Sequence, residues 1–150
     1  MAKIEEAIKQ KKFENEFHKL TINVMYTASW FQSRHLQIFK PYGISGPQYN
    51  ILRILKGQSP NPAPLKLLTE RMIDKMSNTS RLVEKLLKKG LVERTVCKDN
   101  RRQVDISLTT AGLDLLKEVG KKMEMESSRL TTLSEKEAKQ LNLLLDKLRD

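Results

Sequence analysis

A mainly helical α+β fold is predicted by three observations. Apolar residues recur at three- and four-residue steps over most of the chain, the period of amphipathic helices. One stretch, 91–108, changes to alternation around a charged tip, the mark of a β-hairpin. Local stop and start signals, among them Lys40-Pro41-Tyr42-Gly43, Gly90 and Thr109, stand between these segments and set their limits. At 150 residues the chain reads as one domain, 1–150, long enough for a real core.

The first helix is predicted to run from about residue 5 to 39. Phe13, Phe17, Leu20, Val24, Ala28, Phe31, His35 and Ile38 form one stripe, and Ile22, Tyr26, Trp30 and Gln37 lie round the side. A helix apolar on more than one side asks for more than one partner surface, either a subunit interface or a larger monomer core. After the break at 40–43, Ser45 is a natural N-cap, Pro47 fits a first turn and Gln48 completes a capping-box spacing. Tyr49, Leu52, Ile54 and Leu55 carry the expected buried side of this second helix, which ends near Gly57. Ser59-Pro60-Asn61-Pro62-Ala63-Pro64 is an extended connector, since proline cannot continue a helix. Leu65 to Met72 then forms a short third helix.

Asp74 is the expected cap of a fourth helix reaching about Lys89, with Met76, Val83, Leu86 and Leu87 inward and small Thr79 and Ser80 between them. Gly90 suits the left-handed position after a helix, with Leu91 folding back as its apolar contact. Leu91–Val96 and Val104–Leu108 are the two hairpin strands, and 97–103 is their tip. Thr109 caps a fifth helix carrying Leu113, Leu116, Val119 and Met123. Ser134 and Glu137 form a capping box for the last helix, lined by Ala138, Leu141, Leu144, Leu145 and Leu148.

Composition narrows the function classes. The chain carries a formal charge of +10, and residues 66–102 hold eleven basic and five acidic side chains. A local excess of this kind attracts polyanions in a salt-dependent way. All eight aromatic residues lie between Phe13 and Tyr49, so the basic half has no base-stacking platform. That disfavours single strands and RNA loops and leaves duplex DNA. No stretch approaches the roughly 18 apolar residues of a spanning helix, and the N-terminus lacks the apolar core of a signal peptide. The single cysteine, Cys97, excludes an internal disulfide and suits a reducing cytoplasm. The expectation is a cytoplasmic protein that does not engage membranes. His18 and His35 are 17 residues apart, roughly 25 Å along one helix, so they cannot share a metal within one chain, which leaves only a remote option across a dimer. No glycine-rich phosphate loop, paired cysteines or nucleophile–base set appears. No enzyme, metal or cofactor is expected.

Two short helices, the second fronted by small polar residues, make a helix-turn-helix, whose second helix enters the major groove with its N-terminus leading. The leading residues are Ser77, Asn78, Thr79 and Arg81. Asn pairs with adenine and Arg with guanine, while Lys85 and Lys88 farther along would meet phosphates. The hairpin tip carries Lys98, Asp99, Arg101 and Arg102. Its arginines suit the narrow minor groove, and Asp99 is placed to hold one of them.

These residues resemble the winged helix-turn-helix of the MarR family of bacterial transcriptional regulators. SRLVEKLLKKGLVER matches the recognition helix and first wing strand, and DNRRQVDISLTTAG the wing tip, second strand and next helix start. Asp99 and Arg101 meet the family's D-x-R element, and Leu108-Thr109 its Leu-Thr step. The resemblance implies a lobe at 45–109, with 1–40 and 110–150 interlocking as dimerisation helices of a homodimer. The two recognition helices would then reach successive major grooves of a pseudopalindromic operator. It also implies a repressor that releases DNA when a small aromatic or carboxylate effector binds. The candidate lining is Tyr26, Trp30, Arg34, His35 and Tyr49, in which Arg34 is a cation suited to an anionic ligand. Oxidant-sensing relatives use a cysteine in the N-terminal helix. This chain has none there, and Cys97 is read as structural or incidental. The competing reading is a winged-helix protein-interaction module without sequence-specific DNA binding.

Overall fold

A computed structural model describes residues 3–96, 104–128 and 132–150. The chain forms two compact units, 1–46 and 47–150.

The first unit holds α1 (Ile4–Ala7), α2 (Glu16–Phe39) and a 3₁₀ turn at Lys40–Tyr42. The single helix expected over 5–39 is therefore interrupted. Lys9 adopts a left-handed φ of 54°, which cannot propagate a right-handed helix. Asn15 then starts α2 afresh, its side chain accepting the His18 backbone N–H at 2.9 Å. Glu5 and Lys19 pair at 2.5 Å from either side of the interruption. Gly43, at φ 63°, closes the turn after α2, with its N–H on the Lys40 carbonyl.

The second unit contains most of α3 (Gly46–Gln58), then β1 (Ala63–Pro64), α4 (Leu65–Arg71), α5 (Thr79–Lys88), β2 (Val92–Val96), β3 (Val104–Leu108), α6 (Thr110–Ser128) and α7 (Glu135–Lys147). Gln48, Ile51, Leu52 and Leu55 form the buried side of α3, while Tyr49 and Ile54 are only half-buried. The buried set therefore follows the three- and four-residue spacings from Gln48 (48 to 51 and 52, then to 55) rather than the apolar residues as such. The connector closes with a two-residue strand, and antiparallel pairing of Ala63 with Ile106 makes a three-stranded sheet of order β1-β3-β2. The hairpin strands agree with the sequence reading to within one residue, in a register running from Val92 opposite Leu108 to Val96 opposite Val104.

Leu68, Met72, Val83, Leu86, Ile106, Leu116 and Val119 are buried core residues. α5 packs on α4 and β2, and α6 on β3. The end of α5 is a Schellman motif. Gly90, at φ 67°, donates to the Leu87 carbonyl at 2.9 Å, and Leu91 donates to Leu86 at 3.1 Å. Thr109 then ties three elements together. Its hydroxyl donates to the Gly90 carbonyl at 2.6 Å and accepts the Gly112 N–H at 3.1 Å, while its own N–H reaches the Leu91 carbonyl. The capping box at Ser134 and Glu137 is formed, and its hydrogen bonds to Ser134 hold the Glu137 carboxyl below the usual carboxylate range. Leu141, Leu143 and Leu144 of α7 and Leu148 just after it are exposed, as are Phe17, Leu20, Met25, Tyr26, Trp30 and Leu36 of α2. No described helix is long and apolar enough to cross a membrane.

Candidate nucleic-acid interface

α4 and α5 are joined by a turn held at several points. Asp74 does not cap α5 as expected but organises this turn instead. One carboxylate oxygen accepts the Met76 N–H at 3.0 Å, the other accepts the Ser77 hydroxyl at 3.1 Å, and its carbonyl accepts the Ser77 N–H at 3.2 Å. Asn50 of α3 reaches in from 23 residues away, its side-chain carbonyl accepting the Ile73 N–H at 2.9 Å. Met76 consequently lies outside the helix and is 92% exposed, where inward packing was expected.

The cap of α5 is Asn78, whose Oδ1 accepts the Arg81 N–H at 3.0 Å. In the helix that follows, Thr79, Val83 and Leu86 point inward and Ser80, Arg81, Lys85 and Lys88 outward. Ser80, expected inside, is therefore at the surface. Ser77, Asn78, Arg81 and Lys85 line one open cleft of about 310 Å³ together with Pro47 and Leu82. Four of the sequence-predicted residues thus share a concavity at the helix start. Thr79 does not join them. It is 4% exposed, and its hydroxyl has no partner among the described residues. Pro47 was missed because nothing local shows that the start of α3 borders the start of α5, and Leu82 because an apolar residue in this helix does not stand out as a site residue.

Asn78 has a consequence of its own. An oxygen engaged by the Arg81 N–H is not fully available for bidentate pairing with adenine, so Asn78 acts on helix stability first. Asn78→Ala is expected to lower unfolding stability by about 1 kcal/mol, and Asn78→Asp to restore the cap. Chemical denaturation of the three proteins checks this, and equal stability of Asn78→Ala and the parent would reject it.

The hairpin is fastened to the same helix. Arg94 on β2 pairs with Glu84 on α5, and Ser107 on β3 donates to Glu93 at 3.4 Å. An exposed ion pair adds little stability, but this one links β2 to α5. Lys98, Asp99, Arg101 and Arg102, with Cys97, lie outside the described residues.

The proposed effector residues fall on two elements. Tyr26, Trp30, Arg34 and His35 lie on α2, and Tyr49 on α3. The Arg34 guanidinium stands over the Trp30 ring at 4.8 Å, a cation–π pair. His35 sits in a row with Phe31 and Phe39, each ring centroid 6.0 Å from its own. Tyr26 and Trp30 are about 40% exposed.

Comparison with known proteins agrees with this architecture. A family model described as the MarR family matches residues 44–104. The HTH-type transcriptional regulator MgrA of Staphylococcus aureus is 30% identical over 112 residues, covering 75% of this chain and 74% of that protein. Two solved structures share the fold. One is the S. aureus MepR–DNA complex, with TM-score 0.75 and 23% identity over 90% of this chain and 96% of that one. The other is the organohalide-sensing RdhR transcriptional regulator in its 2,4-dichlorophenol-bound form, with TM-score 0.80 and 20% identity over 93% of this chain and 85% of that one.

Proposed function

The chain belongs to the MarR family of winged helix-turn-helix transcriptional regulators, which are not enzymes, and we propose that it is a cytoplasmic, ligand-responsive repressor binding a pseudopalindromic operator as a homodimer. The observation that carries the DNA-binding part is the cleft at the start of α5. Ser77, Asn78, Arg81 and Lys85 converge there, while Glu84 and Arg94 hold the wing to the same helix. The first wing strand is thereby joined to this helix, and the sequence carries Arg101 and Arg102 between β2 and β3.

Selection of bound fragments from random duplex DNA tests this directly. One pseudopalindrome is expected, with half-sites about one helical turn apart. If a dimer contacts at least six phosphates, raising salt from about 50 to 200 mM lowers affinity about a thousandfold. Arg101→Ala should cost about 1–3 kcal/mol if the side chain makes a groove contact. A flat salt response without a preferred sequence would instead favour the protein-interaction module.

Support for the homodimer comes from the uncovered leucines of α7 and, separately, from the uncovered apolar residues of α2, since grouped exposed apolar side chains mark interaction surfaces. Support for an effector site comes from α2. There Tyr26, Trp30, Arg34 and His35 combine exposed rings with a cation and a polar ring. The dichlorophenol bound by the RdhR regulator is an aromatic molecule of this kind. An effector releases DNA only by binding the incompatible state more tightly. An aromatic carboxylate is therefore expected to weaken operator binding, and Arg34→Ala to reduce that response by about tenfold, the scale of one charged contact. An unchanged response in a titration of the variant would remove Arg34 from the site.

A further inference from the structure

We propose that Met76 and Ile73 read sequence by placing apolar surface on thymine methyl groups of the bound duplex, an inference that rests on the reading of this lobe as a specific DNA binder. Met76 and Ile73 are 92% and 85% exposed, the highest values among the described large hydrophobic residues. This exposure is built into the fold. The Ile73 N–H is held by Asn50 and the Met76 N–H by Asp74, while Ser77 is held to Asp74 twice. The turn cannot turn its apolar side chains inward without breaking these bonds.

The surroundings select the occupant. Arg71, Lys75, Arg81 and Lys85 are exposed cations in or beside the turn and the helix start. Both carboxylate oxygens of Asp74 are engaged within the turn. A surface that combines bare apolar side chains with several exposed cations is poorly matched to an apolar protein groove. It matches duplex DNA, whose phosphates meet the cations and whose major groove offers one apolar group, the thymine C5 methyl. Met76 is also continuous with the proposed interface, since Ser77 and Asn78, the next two residues, line the cleft. A methionine thioether adapts readily to such a small target.

The test uses the operator selected by the full-length protein. Each thymine is replaced in turn by deoxyuridine, which keeps every hydrogen-bonding edge and lacks only the methyl. The parent protein is expected to lose about fourfold in affinity at one or more positions, the value of burying one such group. Met76→Ala or Ile73→Ala should bind the thymine operator as weakly as the parent binds that uracil operator, and should lose nothing further there. Both side chains are exposed, so the thermal midpoints of the variants should match the parent. Two outcomes would overturn the proposal while leaving DNA binding intact: no uracil position affects the parent, or both variants remain as uracil-sensitive as the parent. Failure of the selection to return any preferred sequence would overturn the specific-binder reading, and this inference with it.

Discussion

Gly112→Ala is expected to destabilise the protein by about 3 kcal/mol, lowering its thermal midpoint by about 6–12 °C. A Cβ at this position would lie 2.1 Å from the Leu91 carbonyl oxygen, 3.1 Å from its carbon and 3.3 Å from Leu108. The obstacle is backbone, and the backbone is held on both sides. The Leu91 N–H closes the Schellman motif on Leu86, and the Leu91 carbonyl accepts from Thr109. Relief requires α6 to move off the end of α5, which breaks the Thr109 bridge between Gly90 and Gly112. Gly57→Ala is the control. Nothing lies within 4 Å of its added Cβ, so in a helix it should stabilise by about 0.5–1 kcal/mol. Calorimetry that gave Gly112→Ala a midpoint equal to the parent's would exclude the close approach. The same joint couples the recognition helix, the wing and α6, so a loss of DNA affinity is expected at temperatures where the variant remains folded.

Leu86→Ala is expected to cost about 2–5 kcal/mol, the range for emptying a buried leucine site. Leu86 is fully buried on the inner row of α5 with Thr79 and Val83. A helix of ten residues is too short to persist by propensity alone, so its stability comes from this packing. The loss is a large share of the roughly 5–15 kcal/mol that holds a domain together. In urea the midpoint should fall with little change in slope, and an unmoved midpoint would show that α5 is anchored elsewhere. Surface substitutions on the same helix, such as Lys88→Ala, should stay within about 0.5 kcal/mol.

The elements legible in sequence were those whose signals are local and unopposed. Gly90 and Thr109 bracket alternating residues, and β2 and β3 formed where that pattern placed them. Ser134 with Glu137 made its capping box. Cap residues in competition were harder to read. Asp74 and Asn78 are both good N-caps, and the choice fell to Asn78 because the turn consumes the Asp74 carboxylate and Asn50 pins Ile73. That four-residue displacement left Met76 outside the helix, and the packing of Thr79, Val83 and Leu86 put Ser80 on the outer face. The interruption at Lys9 and Asn15 was likewise hidden, since the apolar period of the first helix carries across it.

The candidate site divides in the same way. Its polar and basic residues at 77–85 were visible as a run at a helix start, and the basic excess of the region was visible as charge. The sequence by itself determined the hairpin, the limits at Gly90 and Thr109 that bracket it, the last capping box and the family, because each depends on residues a few positions apart. Only the tertiary structure decided which face of α5 looks outward, that Ala63 and Pro64 form a strand against β3, and that Gly112 must be glycine. The physical reason is shared. Each of these depends on a hydrogen bond or a close approach between residues more than twenty positions apart, and no local pattern encodes a distance of that kind.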